Sequence, residues 1–290
     1  MRVLITGAGG FVGRHLSRHL LDLGHDVVAV SRRPLDEMVD GGRYTNVVCD
    51  LAAEVPDAGP IDALVHGAAE IPARVPDDQE IENINNAINQ NAITAAARGG
   101  ARSVLYLSSL AVYGPVGVPM VDEGTPFDNS AGYGRSKFSG EGLLDDWHAG
   151  ARGLRALSLR LPGVIGKGSH DNFLSAVGAK FLEGGKVTAE NPDAPFNAVV
   201  HVSVLVSFMA QWLEDGRPCH DVALIGSREP LLLKTVLEKI KSGLGRGAFD
   251  FRDTTRAPFT LDLARVESLG CRLQTVEQAV AMFIDDLKGQ

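Results

Sequence analysis

Cysteine is scarce in this chain. Cys49, Cys219 and Cys271 are the three among 290 residues, widely spaced, odd in number and without a C-x-x-C. That count disfavours a disulfide framework and a zinc site, and no metal is expected. Buried free thiols in a reducing cytoplasm are the better expectation. Positive charge is short as well: 28 Lys and Arg face 36 Asp and Glu, a formal net charge of -8. With a pI of about 5.5, binding to bulk nucleic acid is disfavoured. A small anionic ligand is not, because it needs only a local cluster of cationic side chains and backbone N–H groups. Long apolar runs are also missing. The longest, Ala198–Leu213, contains His201, Ser203, Ser207 and Gln211, and is too short and polar to span a bilayer. The chain enters Val3-Leu4-Ile5 at once, so no signal peptide and no membrane partner are expected.

What is present is ordinary globular material, 44% hydrophobic and 22% charged. Short apolar, β-rich runs fall at Arg2–Thr6, Asp26–Ser31, Asn46–Cys49, Asp62–His66, Ser103–Ser108 and Leu154–Leu161. Helical stretches lie between several of them, at Phe11–Leu23, Glu80–Arg98 and Tyr133–His148. This alternation predicts an α/β fold, a parallel sheet covered on both faces. After Arg160 the rhythm changes. Helices are predicted at Phe173–Leu182, Ser203–Trp212, Leu231–Ser242, Asp262–Leu269 and Thr275–Leu287, with a strand near Val222–Ile225. The expected organisation is a dinucleotide-binding domain over 1–162, with parts of 196–226 returning to it, and a smaller mixed α/β lobe over 163–290.

The dinucleotide is implied by Thr6-Gly7-Ala8-Gly9-Gly10-Phe11-Val12-Gly13, which follows a strand and opens a helix. Gly7 permits a tight turn, Gly10 lets a pyrophosphate approach the N–H groups at the positive helix end, and Gly13 allows close packing of helix on strand. An ordinary glycine turn is the plain alternative; the placement at the first strand of such an alternation favours a Rossmann-type, doubly wound sheet. The second strand ends in Ser31-Arg32-Arg33, where an NAD site often carries an acid. Two guanidinium groups suit a 2′-phosphate, so NADP(H) is the preferred cofactor, with NAD(H) as the alternative. Asp36 and Glu37 come slightly too late to supply the acid.

Tyr133-Gly134-Arg135-Ser136-Lys137 places a phenol and an ammonium four residues apart, on one helix face. A neighbouring ammonium is expected to lower the tyrosine pKa and make it a usable acid/base. Ser108-Ser109 closes a strand at the carboxyl edge, where parallel sheets bind ligands. A hydroxyl there is placed to hydrogen-bond a substrate carbonyl.

These pieces, together with Asp50-Leu51, His66-Gly67-Ala68-Ala69, Asn85 and Ser108-Ser109-Leu110-Ala111-Val112-Tyr113-Gly114, resemble the extended short-chain dehydrogenase/reductases of the NAD-dependent epimerase/dehydratase type. The resemblance is strong over residues 1–168 and looser beyond. It implies that Asp50 binds the adenine amino group with Leu51 beside it. Gly67, Ala68 and Ala69 would line the nucleotide–ribose path, joined by Ser108, and Pro162, Gly163 and Val164 would border the nicotinamide. It further implies that Ser109 polarises the substrate oxygen, Tyr133 transfers the proton, Lys137 holds the nicotinamide ribose, and Asn85 sits in the helix beside them. Tyr113, Arg160, Lys167 and Arg256 are candidates for substrate contact. His66 reads better as a satisfied structural histidine. Leu110-Ala111 stand where a 4,6-dehydratase carries its acidic pair, which disfavours that reaction.

The implied activity is reduction of a nucleoside-diphosphate 4-keto-6-deoxyhexose. A nucleotide-sugar 4-epimerase with retained NAD, or a reductase of a non-nucleotide carbonyl, are the alternatives. A stripe of Ile84, Ala87, Ile88, Ala92 and Ala95 on the second helix leaves a homodimer open, although packing on its own sheet explains the stripe equally.

Overall fold

The computed structural model describes residues 1–35, 42–150, 153–217 and 219–289. In chain order its elements are β1 (Arg2–Thr6), α1 (Phe11–Asp22), β2 (Asp26–Ser31), β3 (Tyr44–Val48), β4 (Ala63–His66), α2 (Asp78–Gly99), β5 (Ser103–Ser109), β6 (Met120–Val121), α3 (Gly132–Ala149) and β7 (Arg155–Leu161). There follow β8 (Gly163–Ile165), α4 (Phe173–Leu182), β9 (Lys186–Glu190), β10 (Pro195–Phe196), β11 (Val199–His201), α5 (Val202–Glu214) and β12 (His220–Leu224). The chain ends with β13 (Leu231–Leu232), α6 (Leu233–Leu244), β14 (Ala248–Arg252), β15 (Thr260–Leu261), α7 (Ala264–Ser268) and α8 (Val276–Lys288). Asp36 and Glu37 lie outside the described residues.

Two compact units share these elements. The first comprises 1–114, 127–160 and 206–223, and the second 115–126, 161–205 and 224–290. A seven-stranded sheet runs in the order β12-β7-β5-β4-β1-β2-β3. Its β5-β4-β1-β2-β3 portion pairs in parallel throughout. Parallel strands need crossovers, and α1 and α2 supply them. Because β2 lies on one side of β1 and β4 on the other, the strand order reverses at the end of β1, the place where such sheets bind ligands. The strands are apolar on both faces: Val3, Leu4, Val28, Val30, Leu64 and Val104 are all 1% exposed or less, as a sheet covered on both sides requires. Helix α2 is started by Asp77, whose carboxylate accepts from the Glu80 N–H, and stopped by left-handed Gly100. Ile88, Ala92 and Ala95 of its stripe are buried in this unit's own core, with Ile84 packed against it. Ala87 of the same stripe is half-buried.

The second unit holds short two-stranded ladders: β8 with β11, β9 with β14 and β6 with β15 in parallel, and β10 with β13 antiparallel. Its core gathers Val177 and Phe181 of α4, Val236, Leu237 and Ile240 of α6, and Val280, Phe283 and Ile284 of α8. Gly178 lets α4 and α8 approach, since a Cβ there would stand 2.7 Å from Leu287 Cδ1. Three differences from the sequence expectation are local. Residues 115–126 contribute to this unit although 1–162 reads as one continuous domain. Leu231–Leu232 is a strand, and the helix begins at Leu233. The β9–β14 ladder joins segments with no strand signature strong enough to read in isolation. No described helix is long and apolar enough to cross a membrane.

Candidate active site and cofactor loop

The turn after β1 is built for close approach. Gly7 has φ +71°, and a Cβ on it would stand 2.9 Å from Ala68 N and Gly67 C. A Cβ on Gly13 would fall 2.3 Å from Gly7 O. Both positions therefore exclude a side chain, and Gly10 N–H closes the turn on Gly7 O at 2.9 Å. The edge of this turn, with Gly10 exposed and Phe11 and Val12 half-buried at the start of α1, presents the positive end of that helix, which favours a pyrophosphate. These residues fit a dinucleotide. Leu35 Cδ2 lies 2.9 Å from where a Cβ on Gly9 would be, which puts the segment after β2 against the loop. Ser31 turns that segment by donating to Arg33 O at 2.6 Å.

Three glycines set α3 against its neighbours. A Cβ on Gly132 would lie 1.9 Å from Asp78 O, one on Gly134 2.1 Å from Ala111 O, and one on Gly140 2.5 Å from Tyr106 Oη. This close seat brings Tyr133 and Lys137 to the end of β5. Ser109 hydrogen-bonds Tyr133 and caps the short 3-10 turn Leu110–Tyr113 by accepting from Ala111 N–H at 3.1 Å. The structure thus brings Ser109, Tyr133 and Lys137 together. Lys137 is buried, donates to Leu107 O at 2.8 Å, and stands 4.9 Å from the Tyr106 ring centre and 5.7 Å from that of Tyr133.

The electrostatics correct one expectation. Burial pushes the Tyr133 phenol up to about 12, and the Ser109 hydrogen bond offsets only part of this. Lys137 is itself weakened: burial pushes this amine down to about 8, against the pull of Glu141, and it donates to a backbone carbonyl. Desolvation outweighs the ammonium's attraction for phenolate here.

Beneath the pair lies a buried polar chain whose proton direction follows from its members. Thr6 Oγ1 accepts from Gly67 N–H at 3.2 Å and Ala68 N–H at 3.3 Å. Its own proton therefore goes to His66 Nδ1 at 2.6 Å. That leaves Nε2–H to donate to Asn89 Oδ1 at 3.0 Å, while Asn89 Nδ2 donates to Ser136 O at 3.0 Å. His66 is neutral, its pKa taken down to about 3 by burial and then by Lys137. The chain ties the glycine loop to the residue preceding Lys137. Asn85 sits one helical turn away. It accepts from Glu70 N–H at 2.7 Å and donates to Glu70 O at 3.1 Å and Ser136 Oγ at 3.2 Å. It holds backbone rather than touching Tyr133 or Lys137.

Arg160 is corrected as a candidate for substrate phosphate. It is 3% exposed. Its Nε and one terminal nitrogen donate to the two Glu141 oxygens at 2.9 and 2.7 Å, and the other donates to Tyr113 Oη at 2.6 Å. Ser108 Oγ adds a bond to the same carboxylate at 2.6 Å. Tyr113, 1% exposed, is likewise core. This brace fastens β5, α3 and β7 together. Glu141 was legible as a continuation of the Tyr133–Lys137 spacing by one more helical turn, and Asn89 as the same step from Asn85; sequence reasoning passed over both. Asp50 opens a turn, its carboxylate accepting from Ala52 N–H at 3.1 Å, and Leu51 is buried. Ala68 and Ala69 are half-buried beside the glycine turn. Arg32 is paired with Glu70. Pro162, Gly163, Val164, Lys167 and Arg256 belong to the second unit. There Val164 O accepts from Asn172 Nδ2 at 2.9 Å, Arg256 O accepts from Asn191 Nδ2 at 2.9 Å, and Lys167 is exposed.

Comparison with known proteins decides the family. The profile described as NAD dependent epimerase/dehydratase family matches residues 3–223. The chain belongs to this family. Its members are enzymes of the extended short-chain dehydrogenase/reductase type, and the expectation from the sequence holds. Among curated relatives, the chain is 25% identical over 246 residues to N-acetyl-alpha-D-glucosaminyl-diphospho-ditrans,octacis-undecaprenol 4-epimerase of Escherichia coli O157:H7, covering 84% of this chain and 72% of that protein. It is 32% identical to D-erythronate dehydrogenase of Cupriavidus necator, over 67% of this chain and 66% of that one. It is 31% identical to GDP-6-deoxy-D-mannose reductase of Pseudomonas aeruginosa, over 62% and 57% respectively. The chain thus spans between about half and seven-tenths of the curated relatives it matches. Among solved structures, MoeE5 in complex with UDP-glucuronic acid and NAD superposes with a TM-score of 0.82 at 25% identity, over 100% of this chain and 99% of that one. The family's chemistry is that of a nicotinamide dinucleotide and, in these relatives, largely of sugar substrates.

Proposed function

We propose that the chain is an NADP(H)-dependent reductase of a nucleoside-diphosphate 4-keto-6-deoxyhexose, with Tyr133 as its proton donor. The carrying observation is the placement of Ser109 at the end of β5 with Tyr133 and Lys137 on the facing helix, Lys137 Nζ 5.7 Å from the Tyr133 ring centre. Burial raises the Tyr133 phenol, which keeps it protonated and able to donate. The Gly7–Gly13 turn would hold a dinucleotide that, when bound, would supply the hydride for the carbonyl carbon. Ser109 and Tyr133 donate to the carbonyl oxygen, and Tyr133 releases its proton to that oxygen as negative charge develops. Lys137 stands near enough to stabilise the resulting phenolate. Ser31-Arg32-Arg33, with no acid at the end of β2, supports the phosphorylated cofactor, and the likeness to a GDP-6-deoxy-D-mannose reductase supports the substrate class.

A second reading, a nucleotide-sugar 4-epimerase retaining NAD, is favoured by one observation: Arg32 is engaged by Glu70. The deciding experiment incubates pure protein with NADPH, or separately NADH, and a pool of nucleotide-linked 4-keto-6-deoxyhexoses, following loss of the reduced cofactor's absorbance. Faster loss with NADPH is expected. Faster loss with NADH would keep the reductase and remove the cofactor assignment. No loss with either, in protein that carries bound NAD, would replace the proposal by the epimerase.

A further inference from the structure

We infer that Glu70 sets how strongly this chain favours a 2′-phosphorylated dinucleotide, by competing with that phosphate for the guanidinium of Arg32. The inference rests on the dinucleotide reading of the site and deepens it. Arg32 stands just past the end of β2, and Glu70 follows β4 through Gly67-Ala68-Ala69. Those strands flank β1, with Val30 and His66 both in register with Thr6. An Arg32–Glu70 pair therefore spans the end of β1, where the glycine loop begins. Arg32 donates to Glu70 Oε1, and Arg74 stands 3.8 Å from Oε2. The carboxylate is recessed, 9% exposed, under two guanidinium groups each 55% exposed. The Glu70 main chain is anchored, because Asn85, itself 1% exposed, holds both its N–H and its C=O.

A 2′-phosphate recognised at the end of β2 needs the Arg32 fork, and bidentate recognition takes two of its donors. Here one terminal nitrogen is held by a carboxylate of the same sign as the incoming ligand. The remaining donors of Arg32 can still meet a phosphate, but binding the phosphorylated cofactor brings two anions to one guanidinium, and they compete for its charge. Binding the unphosphorylated cofactor leaves the pair intact. Glu70 thus narrows the preference that Ser31-Arg32-Arg33 alone would give, and it does so from the segment after β4, outside the second-strand motif.

The test is calorimetric titration of the full chain with NADP⁺ and, separately, NAD⁺, without substrate. In Glu70→Gln, which keeps the shape of the side chain, NADP⁺ is expected to bind on the order of tenfold tighter, with NAD⁺ changed less than about twofold. The gain should vanish when the same change is made in an Arg32→Ala background. Should Glu70→Gln fail to fold, Glu70→Asp, which withdraws the carboxylate, is expected to change the ratio in the same direction. Unchanged or weaker NADP⁺ binding in the folded variant overturns the inference. So does a gain that survives without Arg32, which would mean simple repulsion. Failure of the wild-type chain to bind either dinucleotide removes the cofactor reading itself, a result distinct from an unchanged ratio.

Discussion

The first unit carries one continuous sheet whose interior is threaded with buried polar groups: His66, Asn85, Asn89, Lys137, Glu141 and Arg160 are each at most 6% exposed. The second unit has short two-stranded ladders and a core of helix faces in which Val177, Phe181, Val236, Leu237, Val280 and Phe283 are sealed. The difference is one of what burial is for. In the first unit desolvation is set against specific partners, and the outcome is a neutral histidine, a weakened ammonium and a protonated phenol in defined places. In the second, the sealed helix faces bury hydrocarbon, and buried polar groups such as Asn197 and Ser227 are spent on backbone carbonyls; the yield is stability.

That contrast can be broken at several points. The largest effect is expected from Tyr133→Phe: turnover should fall about 10³-fold or more, with dinucleotide affinity and melting temperature nearly unchanged. Retained turnover would remove the acid/base role. Phe283→Ala, in the second unit's core, should cost about 4 kcal/mol in chemical denaturation while leaving dinucleotide affinity alone. A change in that affinity would show that the division of labour is wrong. Glu141→Gln leaves Arg160 buried beside a neutral partner and should cost about 3 kcal/mol. Loss of turnover without loss of stability would mean that the brace acts in the chemistry instead.

Acid titration sharpens the same point. His66 has a folded pKa of about 3, against 6.5 for a histidine free in water. Between these the unfolded chain binds a proton that the native chain does not, so stability falls as pH falls below 6.5. The loss should reach about 2 kcal/mol by pH 5. His66→Gln should flatten this limb; an unchanged slope would place the acid sensitivity elsewhere. The smallest effect is expected at the start of α8, where Thr275 and Gln278 form a capping box. Thr275→Ala should cost about 1 kcal/mol in a thermal or chemical melt, with turnover untouched.

Much of the first unit was readable because its signals are local. Gly7 and Gly13 must be glycine where the loop folds back on its own strand, and Tyr133 and Lys137 share a helix face by spacing alone. The strands announce themselves by apolar runs. The ladders of the second unit do not, because Lys186–Glu190 is a short half-exposed strand whose partner, Ala248–Arg252, lies far along the chain. Arg160 misled for a related reason: an arginine after a strand reads as available charge until Glu141 and Tyr113 are seen to take its donors.

Sequence by itself determined the α/β class, the strand–glycine turn–helix and the shared helix face of Tyr133 and Lys137, since each follows from short-range periodicity or the steric needs of glycine; Ser109 joined them through the family resemblance. Only the tertiary structure decided their protonation and the company of Arg32. Desolvation and ion pairing depend on which distant segments close over a group, and neither Glu70 beside Arg32 nor His66 beneath Lys137 is near its partner along the chain.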